Sequence, residues 1–238
     1  MFLTSLRVPP TVLSVELHAH SSLSYDGRDP VETLLERAAA VGLDALAVTD
    51  HDEVEASLEA AEIAPDYGLV GIPGMEVTSE AGHVLALGVR ELIPADLSFD
   101  ETIDRIHGAG GIAVVPHPFQ TSRSGVAPNV SPVSLARADA IEVYNSRLLT
   151  GRGNRRARAF AEKHDLPVTA GSDAHVAEMV GRAVTEIDAA EPTVEAIIAA
   201  IRGGRTEIGG RRTPWRVSFM QAAGGAKRRV RNRLRDLF

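Results

Sequence analysis

Short apolar runs recur along this chain, and most are followed by a stretch in which apolar positions repeat every three or four residues. Runs at 12–17, 45–49, 69–72, 84–88, 112–115, 140–144 and 168–170 have the length and β-branched content of buried strands, and 183–187 is a further strand-like run. Helical patterns fall between most of them. Asp29-Pro30-Val31-Glu32 predicts a helix start, with Asp29 as N-cap, Pro30 as first helical residue and Glu32 completing a capping box. Further helices are expected at 53–63, from Ser98-Phe99-Asp100-Glu101 to Gly110-Gly111, from Ser131-Pro132, at 154–164 and at 193–202. No helix fits between the third and fourth strands.

Repeated βα units imply an α/β fold with a parallel sheet covered by helices. An open doubly wound sheet and a closed barrel both satisfy that pattern. His18 and His20, His51, Glu76, His117, and Asp173 with His175 each lie at or just past the C-terminal end of a predicted strand. Residues from many strand ends converge on one point when the sheet closes, so the reading is a distorted TIM-like barrel of about seven strands. His83 precedes its strand, which fits a strand running the other way or a loop folded over the mouth.

Composition bounds the class without naming a function. The 238 residues, 44% hydrophobic and 24% charged, suffice for one large core. No apolar run approaches the ~20 residues that cross a bilayer, and residues 1–10 lack the pattern of a secretory leader, so a cytoplasmic location is expected. Cysteine is absent, which removes disulfides and thiolate metal sites. The net charge of −7 is unevenly spread: residues 211–238 hold nine Arg/Lys and one acid, leaving 16 basic against 31 acidic groups elsewhere. An acidic body repels nucleic acid and anionic lipid unless a basic patch or metal intervenes. The expected organisation is a barrel domain over 1–210 and a basic tail over 211–238. In the tail Val230, Leu234, Leu237 and Phe238 share one helical stripe, predicting a short helix that packs on the barrel or on a partner subunit. The tail's arginines also offer a contact to nucleic acid.

The chemistry is in the histidines. Six of eight fall in short motifs, and with Asp26, Glu76 and Asp173 they make nine candidate metal ligands: His18, His20, Asp26, His51, Glu76, His83, His117, Asp173 and His175. One ion takes four to six such donors, so nine suit two or three ions sharing a bridging carboxylate. Glu-Leu-His-Ala-His puts two imidazoles on one face of a strand, and Asp173-Ala174-His175 repeats that spacing. Glu76 is the expected bridge, because a carboxylate has two oxygens where imidazole has one usable donor. Asp50 is expected to fix an imidazole tautomer from behind. Arg147, Arg123 and Asn145 are the candidate substrate contacts, the two arginines as bidentate phosphate clamps. His107 and His164 lie within helices and outside every motif, which makes them structural.

The segments ELHAHSSLSYDG, AVTDHD, GMEVTSEAGHVLALG, VVPHP, IEVYNS and TAGSDAH occur in order across residues 16–175. In this ordered set the chain resembles the polymerase-and-histidinol-phosphatase (PHP) family of metal-dependent phosphoesterases. The resemblance implies a (β/α)7 barrel with two to three divalent Mn, Zn or Fe ions. It assigns His18, His20, Glu76 and Asp173 to the first ion, Asp26, His51 and His175 to the second, and His83, His117 and again Glu76 to the third. The implied reaction is hydrolysis of a small phosphorylated substrate, a phosphomonoester or short phosphodiester, by a metal-bound hydroxide. The alternative is a nuclease or regulatory module of the same fold, bound to nucleic acid. Only 24 residues separate His117 from Glu142, too few for a large lid over a nucleotide, so an open mouth is expected.

Overall fold

A computed structural model describes residues 11–148 and 151–210 of the chain; the helix expected in the basic tail lies outside the described residues. Ten strands and six helices follow one another: β1 (Thr11–Ala19), α1 (Val31–Ala40), β2 (Ala45–Val48), α2 (Glu55–Ile63), β3 (Val70–Ile72), β4 (Gly74–Ser79), β5 (Gly82–Leu87), α3 (Phe99–Gly108), β6 (Ile112–Val115), α4 (Pro132–Leu135), β7 (Ala140–Asn145), α5 (Arg152–His164), β8 (Val168–Gly171), β9 (Ala183–Ala189), α6 (Val194–Arg202) and β10 (Thr206–Gly210). No helix among the described residues is long and apolar enough to cross a membrane.

The α/β alternation is as expected, but the strands do not close into one hydrogen-bonded barrel. They form two mixed five-stranded sheets, ordered β10-β9-β1-β2-β3 and β4-β5-β6-β7-β8. In the first, β1, β2 and β3 run parallel, while β9 runs antiparallel to both of its neighbours, β1 and β10. In the second, β4, β5 and β6 alternate direction and β6, β7 and β8 run parallel. The residues at the two seams explain the division. Pro73 alone separates β3 from β4; it has no N–H to carry a ladder across. Gly74, which follows, has no room for a side chain, since a Cβ there would lie 2.6 Å from the Ala86 carbonyl oxygen. On the opposite side hydroxyls replace the ladder. The Ala170 N–H donates to Thr185 Oγ1 at 2.9 Å, and that hydroxyl donates back to the Ala170 carbonyl at 3.0 Å. Ser172 Oγ accepts from the Ala183 N–H at 2.9 Å and donates to the Ala183 carbonyl at 3.3 Å. Isolated parallel bridges, His51 with Glu76 and Ala19 with Ala174, tie the sheets together at the ends that carry the metal-ligand candidates.

Both sheets turn apolar side chains inward. Leu13, Leu17, Leu85, Ile112, Val114 and Ile187 form one cluster, and Ile197, Ile198 and Ile201 of α6 cap it. Helices α1 and α2 cover the outside of the first sheet through Leu34, Leu35, Ala56 and Ala60. Ile103 and Ile106 of α3 and Ala157 and Ala161 of α5 cover the second. Burial of these aliphatics, at about 25 cal/mol per Å² of apolar surface, is the main driving term for this arrangement.

Ser98 accepts from the Glu101 N–H and starts α3, and Ser131 accepts from the Ser134 N–H and starts α4. The α1 start differs. The N-cap is Pro30, with no side-chain cap bond, and the Asp29 carboxylate instead accepts from the Ala177 N–H at 2.7 Å. Asp29 therefore ties the loop after the first motif to the loop after the last, which the capping-box spacing alone does not reveal.

Candidate metal centre

A register shift between Glu16 and Ala19 interrupts the alternation near the C-terminal end of β1, and Glu16, His18 and His20 there are all fully buried. The chain then reverses through a loop in which a Cβ at Gly27 would run into the Ser21 carbonyl, so only glycine closes it. That closure brings Asp26 back over the mouth, with its Oδ2 2.7 Å from His175 Nε2. His51 leaves the end of β2 beside Glu76 of β4, and His83 stands on β5 opposite Thr78. His83 thus belongs to a strand running the other way, one of the two options its position allowed. Glu76 was expected past the end of the third strand; it lies within β4, a separate strand.

Two ligand candidates hold unusual backbone. His117 has φ 32° and Asp173 has φ 51°, in the left-handed region that residues with a side chain rarely adopt. Each conformation is held by its surroundings. The His117 N–H donates to Glu142 Oε2 at 2.9 Å, and the Asp173 carboxylate meets Arg147 Nη1 at 2.8 Å and Arg123 Nη1 at 3.1 Å.

Glu76 is the hub. Its Oε2 lies 3.3 Å from His18 Nε2, 3.3 Å from His20 Nε2 and 3.5 Å from His51 Nδ1. Its Oε1 lies 2.9 Å from His83 Nδ1 and 3.5 Å from His117 Nε2. Around it the donor atoms fall into four groups, each within 4.8 Å: His18, Glu76 and His117; His51, Glu76 and His83; His18, His20 and Asp173; and His20, Asp26, His51 and His175. The structure therefore brings all nine expected residues together, with His18, His20 and His51 each shared between two groups rather than confined to one.

The electrostatics follow from this crowding. Burial by itself raises the Glu76 pKa, but His51, His83 and His18 outweigh it and hold the carboxylate well below its usual range. Burial lowers the His18 pKa, and Glu76 and Glu142 reverse that and raise it well above the ordinary value. His20 and His83 are raised in the same way, chiefly by Glu76 acting against burial. His175 moves the other way, down to about 3, through burial and the Arg147 and His20 charges. Asp173 is buried yet held well below the usual carboxylate range by Arg147 and Arg123. Neutral imidazole and ionised carboxylate are the forms that bind a cation.

The donor set fits a cation cluster on an independent observation. His20 Nδ1 and Nε2, His51 Nδ1 and His117 Nδ1 are buried without an aligned hydrogen-bond partner. Leaving one such polar group unsatisfied costs roughly 1–3 kcal/mol, so several together at one point mark a site built for another ligand. A cavity of about 530 Å³ opens onto it, lined by Tyr25, Asp26, His51, Glu76, His83, His117, Ser122, Arg123, Ser124, Arg147, Asp173 and His175.

Residues beneath the ligands take roles that differ in part from those expected. Glu142 is 1% exposed and accepts from His18 Nδ1 at 3.0 Å, from the His117 N–H and from Asn145 Nδ2 at 2.9 Å. It fixes the His18 ring so that Nε2 faces Glu76. Asn145, expected to contact substrate, stands behind the cavity wall. It is 1% exposed, does not line the cavity, and spends its amide on Glu142 and Asp173. Asp50 fixes no ring: its carboxylate takes the N–H and hydroxyl of Ser21, holding the turn after His20, and burial raises its pKa. Arg123 and Arg147 do reach the cavity wall. Glu16 was not picked out from the sequence, although its place two residues before His18 was the available signal. Its buried carboxyl accepts from the N–H groups of His18, Ser172 and Gly181, and burial pushes it up to about 7. Tyr25, also unassigned, stacks on His51 with ring centroids 4.6 Å apart. His107 binds Asp139 at 2.7 Å and His164 packs on Phe160, both away from the site.

A family model described as the PHP domain matches residues 16–150, and one described as PHP-associated matches residues 151–206. An uncharacterized protein of Methanocaldococcus jannaschii is 31% identical over 175 residues, covering 72% of this chain and 69% of its own. A phosphoribosyl 1,2-cyclic phosphate 1,2-diphosphodiesterase of Eggerthella lenta is 38% identical over 99 residues, 39% of this chain and 37% of that enzyme. Among solved structures, a two-domain protein of Bacteroides vulgatus containing a predicted PHP-like metal-dependent phosphoesterase superposes with TM-score 0.72 at 21% identity, over 87% of this chain and 70% of its own. That likeness is one of fold.

Proposed function

The chain belongs to the PHP family, and from that premise we propose that it is a metal-dependent phosphoesterase acting on a phosphomonoester or a short phosphodiester. The observation that carries the reading is the convergence of five imidazoles on the two oxygens of Glu76, with partnerless donors beside it. His18, His20, Asp26, His51, Glu76, His83, His117, Asp173 and His175 would hold two or three Mn, Zn or Fe ions, since nitrogen and oxygen donors without sulfur suit borderline metals. When bound, such ions supply Lewis acidity and lower the pKa of water toward neutrality.

The chain's own residues provide charge and position. Glu76 gives one oxygen to each of two imidazole groups, so it spans neighbouring cation positions. Glu142 and Asn145 keep His18, the His117 turn and Asp173 in register from below. Arg147 and Arg123 line the cavity, and their Nη1 groups meet the two oxygens of Asp173. A phosphoryl group between them meets donors matched to its oxygens. The open cavity, with Ser122 and Ser124 on its rim, admits an ester without a covering lid. The Eggerthella enzyme is named for hydrolysis of a cyclic phosphodiester, which supports the choice of a phosphoester over other hydrolysable bonds.

The test is turnover of p-nitrophenyl phosphate and bis-p-nitrophenyl phosphate by protein reconstituted with Mn(II) or Zn(II), run beside an aryl amide. Turnover of an ester is expected, with a loss of ~10³-fold or more in His20→Ala and in Asp173→Ala. Wild-type rates in both variants would overturn the ligand assignment, and turnover of the amide alone would overturn the phosphoesterase reading.

A further inference from the structure

Helix α5 has a composition that its packing does not require. Its sequence, RGNRRARAFAEKH, turns Gly153, Ala157 and Ala161 inward and leaves Arg152, Arg155, Arg156, Arg158 and Lys163 exposed, against one exposed acid, Glu162. Elsewhere on the surface Arg137 pairs with Asp100 and Asp104, Arg105 with Glu101, and Arg202 with Asp139, whereas the exposed Arg28, Arg90 and Arg205 have no ion-pair partner among the described residues. Among the described residues neither Arg155 nor Arg158 has an ion-pair partner. The first turn of α5 contains no acidic residue, so its arginines stand at the positive end of the helix dipole, where cations are disfavoured. Dipole stabilisation therefore does not account for Arg152 and Arg155, and the basic face sits on a body that is otherwise acidic.

Their position joins the candidate metal centre. Asn154 in the first turn of α5 hydrogen-bonds the backbone N–H and carbonyl of Asn145, the residue that anchors Glu142 and Asp173. The Arg156 guanidinium lies 4.6 Å from the ring centroid of Phe119, two residues beyond His117 and in the loop that carries Arg123. Arg156 thus places the N-terminal half of α5 against the loop that runs from His117 to Arg123 on the cavity wall. From Arg152 to Arg158 the helix rises ~9 Å, enough to face about two successive phosphates of a single strand.

We propose that the exposed face of α5 is a phosphate track that binds the backbone of a single-stranded polynucleotide while one of its phosphoester groups occupies the metal centre. This rests on the phosphoesterase reading and names its substrate class. Binding through the backbone is independent of base sequence and falls steeply with salt.

The test compares wild type with Arg155→Glu/Arg158→Glu on three substrates: a labelled decathymidylate, a labelled decauridylate and p-nitrophenyl phosphate. The two oligonucleotides separate a DNA track from an RNA track. The variant is expected to raise KM for the preferred oligonucleotide about tenfold or more, and to reduce the slope of log affinity against log salt by about 1.4 for two phosphates. Turnover of p-nitrophenyl phosphate should stay within about twofold, because neither arginine lines the cavity. Arg155→Gln/Arg158→Gln, with unchanged thermal melting, separates lost contacts from a misfolded helix. Equal oligonucleotide KM and salt slope in wild type and variants would overturn the track. If wild type hydrolyses no phosphoester, the phosphoesterase reading fails. Fluorescence anisotropy of the labelled oligonucleotides on Mn(II)-loaded protein then decides the track: weaker binding by the variants supports it, and equal binding overturns it.

Discussion

Glu142 is the residue whose removal separates ligand orientation from ligation itself. Its two oxygens take His18 Nδ1 at 3.0 Å, the His117 N–H at 2.9 Å and Asn145 Nδ2 at 2.9 Å, all away from water. Glu142→Ala leaves three buried donors without acceptors. At ~1–3 kcal/mol for each donor left unsatisfied, and with partial relief from water entering the space, a net loss of about 3 kcal/mol is expected. For a domain of this size that lowers Tm by roughly 6–12 °C. The same change frees the His18 ring and the strained His117 turn, so affinity for Mn(II) or Zn(II) should fall about 10–100-fold, or ~1.4–2.7 kcal/mol. Chelator competition measures the second quantity, and differential scanning calorimetry on metal-free protein measures the first. Glu142→Gln, which retains one accepting oxygen, should fall between wild type and Ala in both. Wild-type metal affinity in Glu142→Ala would refute the reasoning, even with Tm lowered, because it would show that His18 needs no orienting partner.

Two further outcomes follow from the same geometry. The raised pKa values of His18, His20 and His83 mean that a cation must displace protons, so binding near pH 7 should release them and affinity should fall on acidification; calorimetric enthalpies that do not vary with buffer ionisation enthalpy would contradict this. In metal-free protein these imidazoles contribute stability that is present below their unfolded pKa of ~6.5 and lost as pH rises through the folded values. Glu16, raised to about 7 from 4.5, likewise costs stability as pH rises across that interval. Urea unfolding of chelator-treated protein should therefore show a lower midpoint at pH 8.5 than at pH 6, and the reverse order would refute the assignment. At the sheet seam, Thr185→Val removes the hydroxyl that serves both backbone groups of Ala170. A destabilisation of ~2–4 kcal/mol is expected, largely recovered in Thr185→Ser; equal denaturation midpoints for Val and Thr would show that the seam does not depend on it.

Much of the fold was legible because local signals were strong. The apolar run at 112–115 and the Ser-Pro start of α4 sit where the sequence puts them, and the i, i+2 spacing of His18 and His20 fixes their common face. β4 was missed because Glu76, a charged residue in its centre, breaks the apolar run that announces a strand; its burial is supported by His83 on the next strand and by four histidines distant in sequence. β10 was missed because TEIGG offers little β-propensity and ends in two glycines. The division into two sheets was not legible, since it turns on Pro73 and on where the Thr185 and Ser172 hydroxyls point. The ligand residues were readable as types and spacing. Their supports were not: Asp50, Asn145 and Glu142 are all polar residues at strand ends, and only three-dimensional placement separates one that holds a turn from one that holds a ring.

The central claim is that these nine side chains hold a cluster of ions around Glu76. Inductively coupled plasma mass spectrometry of gently purified protein tests it most directly, with a second reading after reconstitution in Mn(II), Zn(II) or Fe(II). Nine donors shared through one carboxylate predict two to three ions per chain, falling sharply in Glu76→Ala. Less than one ion per chain in wild type, with no gain on reconstitution, would contradict it.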